Sequence, residues 1–435
     1  MKMRPFELAL TIFFAALGAV ALFLMATYEG ESDIKQQQLD AVGSVDIWGT
    51  LPADTIGVLF RDLANEQPLF SRVTYSYVAQ DKFDDTLRDA LADEKGPDLI
   101  LVSHEDLVNL RNRIQPISYE QFPAVDVRNV YIDGAQIFAM KDGMYGYPLA
   151  VDPLMMYWNK DVLTTNDFLT PPKTWEVLIN TMFPELIERD FDRTIRHSVV
   201  AMGEYNNIRN AFGTISALML QSGSMGVVES GGGYLLQLHS SETGADNSLR
   251  KTADFYTRFS KPSNSLYSWN RSLSEDRQLF TAGDLSFYFG YGSEGREIER
   301  INPNLNFDIT EIPQGEGATV RRTYGKFYAL SLLKASDNKS GGAMVMQAIS
   351  NPAVADKIAI KNNLVPAYRT SVSAGSNDTY GRITYKSAAI AFGWLNPDIN
   401  KTNDIFKTMV EDINENRQNV DGATSDLIGR LKSEY

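Results

Sequence analysis

The 435-residue chain contains no cysteine and has three histidines. The lack of cysteine excludes disulfide bonds, thiolate metal sites, a cysteine nucleophile and attachment to a lipid through a cysteine. None of His104, His197 and His239 has a partner at the spacing of a metal-binding motif. We interpret them as core or surface residues, and the sequence predicts no metal site and no cofactor.

Blocks of Lys or Arg are also absent, and the formal net charge is −14. A surface of this sign repels a phosphate backbone, which argues against nucleic acid as a partner. The hydrophobic fraction of 43% and the charged fraction of 22% are typical of folded rather than disordered chains. At about 150 residues per domain, the length predicts two or three domains with cores of their own.

Local signatures of hydrolytic enzymes are missing as well. The serines show no G-x-S-x-G motif, and no local motif marks the carboxylate pair of a glycosidase. No local motif therefore supports a hydrolase. An extracellular glycoside hydrolase is kept as the alternative from a different class, because acidic residues are abundant.

One long apolar segment lies near the N-terminus. Residues 8–27, LALTIFFAALGAVALFLMAT, are 20 residues without a charge, which as a helix match a hydrocarbon core of about 30 Å. A cleaved signal peptide is the alternative, although its apolar part is usually shorter and no clear small-x-small site follows. Lys2 and Arg4 precede the segment, so its N-terminus is expected in the cytoplasm. We predict a single-pass anchor over residues 1–28, a polar linker over 29–43 and a folded domain outside the cytoplasm.

Strand and helix patterns alternate after the linker. SVDIW and RVTYSYVA alternate as strands do, and DLILV is the continuous apolar run of a strand that is covered on both faces. Between them, ADTIGVLFRDLANE and FDDTLRDALADEKGP place apolar residues along one helical face. The order predicts an α/β fold with a largely parallel sheet. Later, Thr174 is predicted to cap a helix, and two amphipathic helices are predicted around Asp421-Gly422.

The stretch FYFGYGSEG places Gly290, Gly292 and Gly295 at the spacing of a dinucleotide-binding loop, with acidic residues following at the ribose-binding distance. Two observations argue against a nucleotide. Glu294 would bring a carboxylate to the pyrophosphate, and nicotinamide cofactors are scarce outside the cytoplasm. We interpret the glycines instead as a thin backbone that lets Tyr291 approach a ligand.

Aromatic residues stand beside polar residues at several expected strand ends and turns. Together they suggest a cleft in which rings stack on the apolar face of a sugar and polar groups bond its hydroxyls. Core packing is the alternative for each of them. The set comprises Trp48-Gly49-Thr50, Tyr157-Trp158-Asn159, Trp175, Tyr205-Asn206-Asn207, Phe289-Gly290-Tyr291 and Tyr324-Gly325-Lys326-Phe327-Tyr328.

Several stretches resemble the family 1 extracellular solute-binding proteins of ABC importers, which are the maltose-binding-protein-like receptors. The likeness covers roughly residues 44–435 and includes EIPQGEG and the TYGKFYALSLLKASDNKSGGAMVMQAIS segment. The part at 141–178 is the most specific, because a turn, a Tyr-x-Asn-Lys-Asp strand end and a Pro-Lys-Thr-Trp helix start occur there in order. The main stretches are GPDLILV (96–102), KDGMYGYPLAVDPLMMYWNKDVL (141–163), PPKTWEVL (171–178) and FTAGDLSFYFGYGSEG (280–295).

The resemblance implies a two-lobed periplasmic-binding-protein-like fold in which each lobe is discontinuous and hinge strands cross between the lobes. A ligand would bind between the lobes and be buried by hinge closure. The implied limits are 44–150 and 312–365 for lobe 1, and 151–311 and 366–435 for lobe 2, whose last part is helical.

The resemblance also implies a set of ligand-binding residues, to which the aromatic set adds Tyr205. Two departures from the family pattern stand out. Gly325-Lys326 replaces a frequent Gly-Gly pair, which implies a cation in the cleft, and a membrane helix replaces a lipid-modified cysteine. The implied residues are Trp48 and Thr50 at the cleft edge of the first strand, Asp152 after a hinge, Tyr157 lining lobe 2, Tyr291 as an aromatic platform, Tyr324 and Lys326 past another hinge, and Arg369 near the last hinge.

The function that the resemblance implies is that of a monomeric, membrane-tethered receptor. It would deliver a small-molecule solute, most simply a sugar or oligosaccharide, to the permease subunits of an ABC importer without changing the bonds of that solute. Another solute, such as a peptide or a polyamine, and a role as a sensor domain are the alternatives that the residues leave open.

Overall fold

The computed structural model describes residues 39–238 and 248–435. The predicted anchor at 1–28, the predicted linker up to residue 38, and His239 lie outside these residues. In the part of the chain that is described, no helix has the length and apolar character needed to cross a membrane.

Helices and strands alternate along most of the described chain. The strands are β1 (Val45–Gly49), β2 (Val73–Tyr77), β3 (Leu99–Ser103), β4 (Ala139–Met140), β5 (Gly143–Met144), β6 (Tyr147–Asn159), β7 (Glu188–Arg189), β8 (Ile195–Val200), β9 (Gly226–Ser230), β10 (Gly233–Gln237), β11 (Leu285–Tyr291), β12 (Phe307–Glu311), β13 (Thr323–Leu332), β14 (Val365–Pro366) and β15 (Ala391–Phe392). The α-helices are α1 (Ala53–Glu66), α2 (Phe83–Ala92), α3 (Leu107–Leu110), α4 (Ala124–Val130), α5 (Lys160–Thr165), α6 (Trp175–Val177), α7 (Phe183–Leu186), α8 (Ala211–Gln221), α9 (Ser248–Thr257), α10 (Asp276–Ala282), α11 (Gly295–Ile301), α12 (Lys339–Ile349), α13 (Pro352–Lys361), α14 (Arg369–Ala374), α15 (Thr379–Ala389), α16 (Ile399–Asn414) and α17 (Val420–Ser433).

Most strands belong to one sheet with the order β2-β1-β3-β13-β6-β11-β8-β7. The β1 strand pairs in parallel with β2 and β3, and β11 pairs in parallel with β8. In the middle, β6 pairs antiparallel with β13 and β11, so the sheet is less parallel than the sequence predicts. The reason is that the two long central strands, β6 and β13, run in opposite directions.

Two separate hydrophobic cores flank this centre. We call the elements around β1, β2 and β3 the first lobe and those around β8 and β11 the second lobe. On β6, Leu149 and Val151 pack in the core of the first lobe, whereas Leu154 and Met156 pack in that of the second. One continuous strand therefore contributes residues to both cores, which is the arrangement of a hinge strand that crosses between two lobes.

The second crossing strand is β13. Tyr324 packs in the second core and Phe327 in the first. The residues between them pair across to β6, with Gly325 opposite Pro153 and Lys326 opposite Asp152. The backbone pair of Asp152 and Lys326 therefore lies where both strands pass from one lobe to the other.

The lobe limits at 311/312 and 365/366 stay a prediction, but core membership suggests where they fall. Ile312 packs in the second core together with Tyr324. Ala367, Tyr368 and Ala388 pack in the first core. We propose that the segment assigned to the first lobe begins and ends later than the sequence implies.

Two local predictions can be compared directly with the structure. The Thr174 hydroxyl accepts the N–H of Val177 at 3.3 Å, which confirms the predicted helix cap. The last two helices do not flank Asp421-Gly422, because both residues lie in the first turn of α17. The break comes earlier, where Asn416 adopts a left-handed φ of 57° and the side chain of Asn419 caps the new helix at Gly422.

Candidate functional site

The carboxyl ends of the parallel strands in the first lobe form one polar edge. The N–H of Thr50, just after β1, donates to the carbonyl of Leu101 at 3.2 Å. Gln80, after β2, donates to the Ser103 hydroxyl at 3.3 Å and to the Asp106 carboxylate at 3.0 Å. Ligands of α/β proteins bind outside such carboxyl ends.

Glu105 extends from this edge to the second lobe. The residue is 1% exposed, and its Oε1 accepts a hydrogen bond of 2.7 Å from the hydroxyl of Tyr324. Its Oε2 lies 3.6 Å from Nζ of Lys326. Because the Tyr324 ring packs in the second core, Glu105 joins the two lobes. We call the place where Glu105, Tyr324 and Lys326 meet the cleft centre.

Tyr291, the last residue of β11, faces the same centre from the second lobe. Nζ of Lys326 lies 4.7 Å from the centroid of the Tyr291 ring. Behind the lysine, Asp152 accepts the N–H of Ser293 at 3.0 Å and its hydroxyl at 2.6 Å. The structure thus brings together four of the residues implied by the resemblance, namely Asp152, Tyr291, Tyr324 and Lys326.

Burial shifts the protonation of the cleft carboxyls. Burial raises the pKa of Asp152 to about 7, although hydrogen bonds from Ser293 oppose the shift. Burial, together with the neighbouring charge of Glu105, raises the pKa of Asp106 to about 8. His104 is buried in the same turn, which lowers its pKa to about 4, and its Nδ1 accepts the N–H of Phe327 at 3.2 Å. It is therefore a neutral core histidine, as the sequence predicts.

The raised pKa of Asp152 predicts that the protein is more stable at mildly acidic than at mildly basic pH. The folded state binds this proton more tightly than the unfolded chain does, so the stabilisation is complete below the unfolded pKa of 3.8 and is lost as pH rises through about 7. Asp152→Asn should flatten the decline in unfolding free energy between pH about 4 and about 8 by about 4 kcal/mol, measured by urea denaturation at several pH values.

The exposed Asp62 on α1 offers a matched control for this measurement. Asp62→Asn, measured in the same way, shows the effect of removing one exposed carboxylate. An Asp152→Asn variant whose stability declines as steeply as that of the parent would contradict the assignment of the proton to Asp152.

Three further predicted residues lie at the polar edge of the first lobe or in the second lobe. Trp48 is half-buried against the first core, and the hydroxyl of Thr50 is buried without a hydrogen-bond partner among the described residues. Tyr205 packs against the second core and donates to Asn403 at 2.6 Å, and burial and the charge of Glu105 both raise its pKa. A buried hydroxyl without a partner is the kind of group that a polar ligand would satisfy.

Two other predicted residues are not brought to the cleft centre. Tyr157 is fully buried between β11 and β12, and its hydroxyl donates to the carbonyl of Tyr291 at 2.6 Å, so it supports the platform from beneath. Arg369 donates to the carbonyl of Arg128 at 2.8 Å and pairs with Asp133, which holds it against the first lobe. Neither side chain presents a free polar end to the cleft in this structure.

Sequence reasoning missed several polar residues of the site. Gln80, Glu105, Asp106 and Ser293 were not predicted as ligand-binding residues. A usable signal existed for two of them, because Glu105 and Asp106 lie within four residues after the strand DLILV, which is apolar on both faces. Polar residues at the carboxyl end of such a strand are candidates for a binding edge.

The glycines of FYFGYGSEG serve packing within the protein. A methyl group on Gly290 would lie 2.4 Å from the ring of Tyr288, and one on Gly292 would lie 2.8 Å from Thr384. The lack of a side chain at Gly290 and Gly292 therefore makes room for neighbouring side chains. This corrects the interpretation that it lets Tyr291 approach a ligand. Glu294 accepts the N–H of Tyr291 at 2.8 Å. Its carboxylate therefore lies at the start of α11, where a dinucleotide-binding loop would hold a pyrophosphate.

The β9–β10 hairpin provides a second contact between the lobes. Glu229 of this hairpin accepts Arg111 Nη2 at 2.7 Å and the N–H of Lys141 at 2.6 Å, both from the first lobe. The hydroxyl of Tyr234 accepts Arg111 Nη1 at 3.2 Å. Because Val227 at the base of the hairpin packs in the second core, the hairpin links the lobes away from the cleft centre.

Comparisons with known proteins agree with this architecture. The pattern of the family described as bacterial extracellular solute-binding protein matches residues 65–381. A cyclo/maltodextrin-binding protein complexed with maltotetraose superposes with a TM-score of 0.70 at 14% identity, covering 90% of this chain and 97% of that one. The sugar-binding protein MalE from the phytopathogen Xanthomonas citri gives 0.70 at 18% identity, with coverage of 90% and 97%.

A solute-binding protein of an ABC transporter from Thermotoga lettingae, bound with alpha-D-tagatose, is also similar. It gives a TM-score of 0.66 at 16% identity and covers 90% of this chain and 100% of that one. None of the curated proteins matches the sequence. At these identities the solved structures establish the two-lobed fold, and the matched pattern covers well over half of the chain.

Proposed function

Because the chain belongs to the family of bacterial extracellular solute-binding proteins, we propose that it is the receptor of an ABC importer and binds a sugar or oligosaccharide between its lobes. Its family and its structural neighbours are binding proteins, so the chain is a binding protein rather than an enzyme. The glycoside hydrolase alternative is therefore set aside.

The convergence of Tyr291, Asp152, Glu105, Tyr324 and Lys326 at the crossing of β6 and β13 carries this proposal. An aromatic ring supplies a stacking surface, and carboxylates, hydroxyls and an ammonium supply the bonds that orient a polyhydroxylated solute. The groups come from both lobes and from the strands between them. A solute that bonds all of them would therefore stabilise the arrangement in which the lobes are in contact.

Hinge closure is the motion that this geometry favours. The strand pair at Asp152 and Lys326 lies between the two cores, so bending there moves each core as a rigid body. Opening at this point would separate Glu105 from Tyr324 and Lys326 and admit a solute, and closure would exclude water from it. The predicted anchor lies outside the described residues, and it would hold such a receptor near a permease and raise its local concentration there.

The proposal of a sugar draws support from the bound molecules named for the similar structures, which are maltotetraose and alpha-D-tagatose. It also draws support from the cleft, where aromatic and hydrogen-bonding groups are combined. The choice among sugars is left to experiment, since a likeness at 14–18% identity shows the fold alone.

Titration calorimetry against a carbohydrate panel, combined with solution X-ray scattering, tests this function. We expect at least one sugar or oligosaccharide to bind and to make the scattering curve more compact or to fix it in the closed form. Binding of peptides alone, or a curve that responds to no member of the panel while no member binds, would refute the sugar assignment. Uptake measured in cells with and without the protein separates transport from a sensor role.

A further inference from the structure

The centre of the cleft already holds an ammonium group, and that group belongs to the protein. Nζ of Lys326 lies 4.7 Å from the centroid of the Tyr291 ring and 3.6 Å from Oε2 of Glu105. An aromatic face and a carboxylate together form an ammonium-binding site, since the ring attracts a cation through its quadrupole and the carboxylate through its charge.

The two partners of this ammonium are held in place by other groups. Oε1 of Glu105 accepts a hydrogen bond from the hydroxyl of Tyr324. The carbonyl of Tyr291 accepts a hydrogen bond from the hydroxyl of Tyr157, and its N–H donates to the carboxylate of Glu294. Neither partner depends on Lys326 for its position. The ring and the carboxylate therefore form a fixed pair that another cation could use.

Lys326 itself is held more loosely than its partners. Its distance of 3.6 Å from Glu105 is too long for a direct hydrogen bond, and its side chain is 27% exposed, against 2% for that of Glu105. A lysine side chain has four rotatable bonds and a strongly hydrated head, so it can turn towards solvent at small cost. Displacement of Lys326 would leave the ring and the carboxylate free.

The site has fewer cationic than acidic groups. Glu105, Asp106 and Asp152 are grouped around Lys326, and Asp398 also acts on Asp106. Burying carboxylates without enough compensating positive charge is costly, and the raised pKa values of Asp106 and Asp152 are a consequence of this environment. The carboxyl oxygens of these residues can accept the N–H bonds of an ammonium also where Asp106 and Asp152 are protonated.

We propose that Lys326 is an internal placeholder in an ammonium-binding subsite and that the solute is a saccharide carrying an amino group, which displaces Lys326 from Tyr291 and Glu105. This inference rests on the proposed function, because it names the class of solute for the same cleft. A neutral saccharide would leave Lys326 in place, and an acidic saccharide would bind Lys326 itself.

The tetramers of glucosamine and of N-acetylglucosamine are a matched pair for the test, since they differ in the amine and its acetylation. Calorimetry at mildly acidic pH, where the amines are protonated, should show the glucosamine tetramer binding at least roughly 10-fold more tightly. Lys326→Met should strengthen its binding further, because the competing ammonium is lost while the stem is kept. Glu105→Gln should abolish the preference for the amine.

Thermal unfolding of each variant shows whether it is folded, and the exposed Lys339→Met is the control for a lost surface charge. Equal or tighter binding of the acetylated tetramer, or weaker binding of the glucosamine tetramer by Lys326→Met, overturns the inference while the proposed function stands. If no saccharide binds, the proposed function fails, and calorimetry with spermidine then tests the ammonium-binding subsite by itself. Binding of spermidine that Lys326→Met strengthens and Glu105→Gln weakens supports the subsite, and no binding overturns it.

Discussion

Replacement of Tyr291 by alanine is expected to weaken solute binding roughly 10- to 100-fold, which corresponds to about 1–3 kcal/mol for the loss of a buried aromatic contact. The ring stands at the end of β11, is 7% exposed and is in contact with Nζ of Lys326 at 4.7 Å from its centroid. The measurement is titration calorimetry with the tightest-binding sugar found in the panel.

Tyr291→Phe separates stacking from hydrogen bonding in this experiment. It keeps the ring and removes the hydroxyl, so binding should stay within a few-fold of the parent if the ring face carries the interaction. Urea denaturation of both variants is needed, because Tyr291 also belongs to the second core. An unchanged affinity in a folded Tyr291→Ala variant would remove Tyr291 from the site.

A methyl group at Gly290 is expected to lower the unfolding free energy by about 2–3 kcal/mol, within the range for overpacking a core. The added atom would lie 2.4 Å from the ring of Tyr288 and 3.0 Å from that of Tyr157. Both rings are fully buried, and Tyr157 also supports the carbonyl of Tyr291. Gly290→Ala should therefore destabilise the second lobe and weaken binding together, measured by urea denaturation and calorimetry.

Gly57→Ala is the matched control, because it introduces the same methyl group within helix α1, where no atom lies within 4 Å. It should be neutral or stabilise by about 0.5–1 kcal/mol, since alanine favours a helix over glycine. If Gly290→Ala were as stable as Gly57→Ala, the packing of Tyr157 and Tyr288 around β11 would be different from that described.

The prediction from sequence was most accurate where the signal is local. The helix pattern of ADTIGVLFRDLANE corresponds to α1, with Ile56, Leu59, Phe60 and Leu63 buried as its periodicity predicts. DLILV corresponds to β3, whose residues are all buried. Such patterns depend on how side chains alternate along one element, so they can be recognised without knowledge of its neighbours.

The prediction was least accurate where a side chain is placed by distant parts of the chain. Tyr157 and Tyr291 are both tyrosines beside polar residues, yet Tyr157 is fully buried within β6, whereas Tyr291 ends β11 and contacts Lys326. Glu105 became central because Tyr324, 219 residues later, reaches its carboxylate. No local pattern distinguishes these cases, since the decisive contacts join residues that are far apart in the chain.

The α/β class, the positions of most helices and strands, and the likeness to solute-binding proteins were determined by the sequence alone. These properties follow from periodicity and short motifs, which are contained within single elements. The composition of the cleft was decided by the tertiary structure. It depends on β6 and β13 crossing between two cores, which sets Lys326 opposite Asp152 and between Glu105 and Tyr291. That arrangement is a balance of long-range packing and buried charge, and neither is visible before the chain has folded.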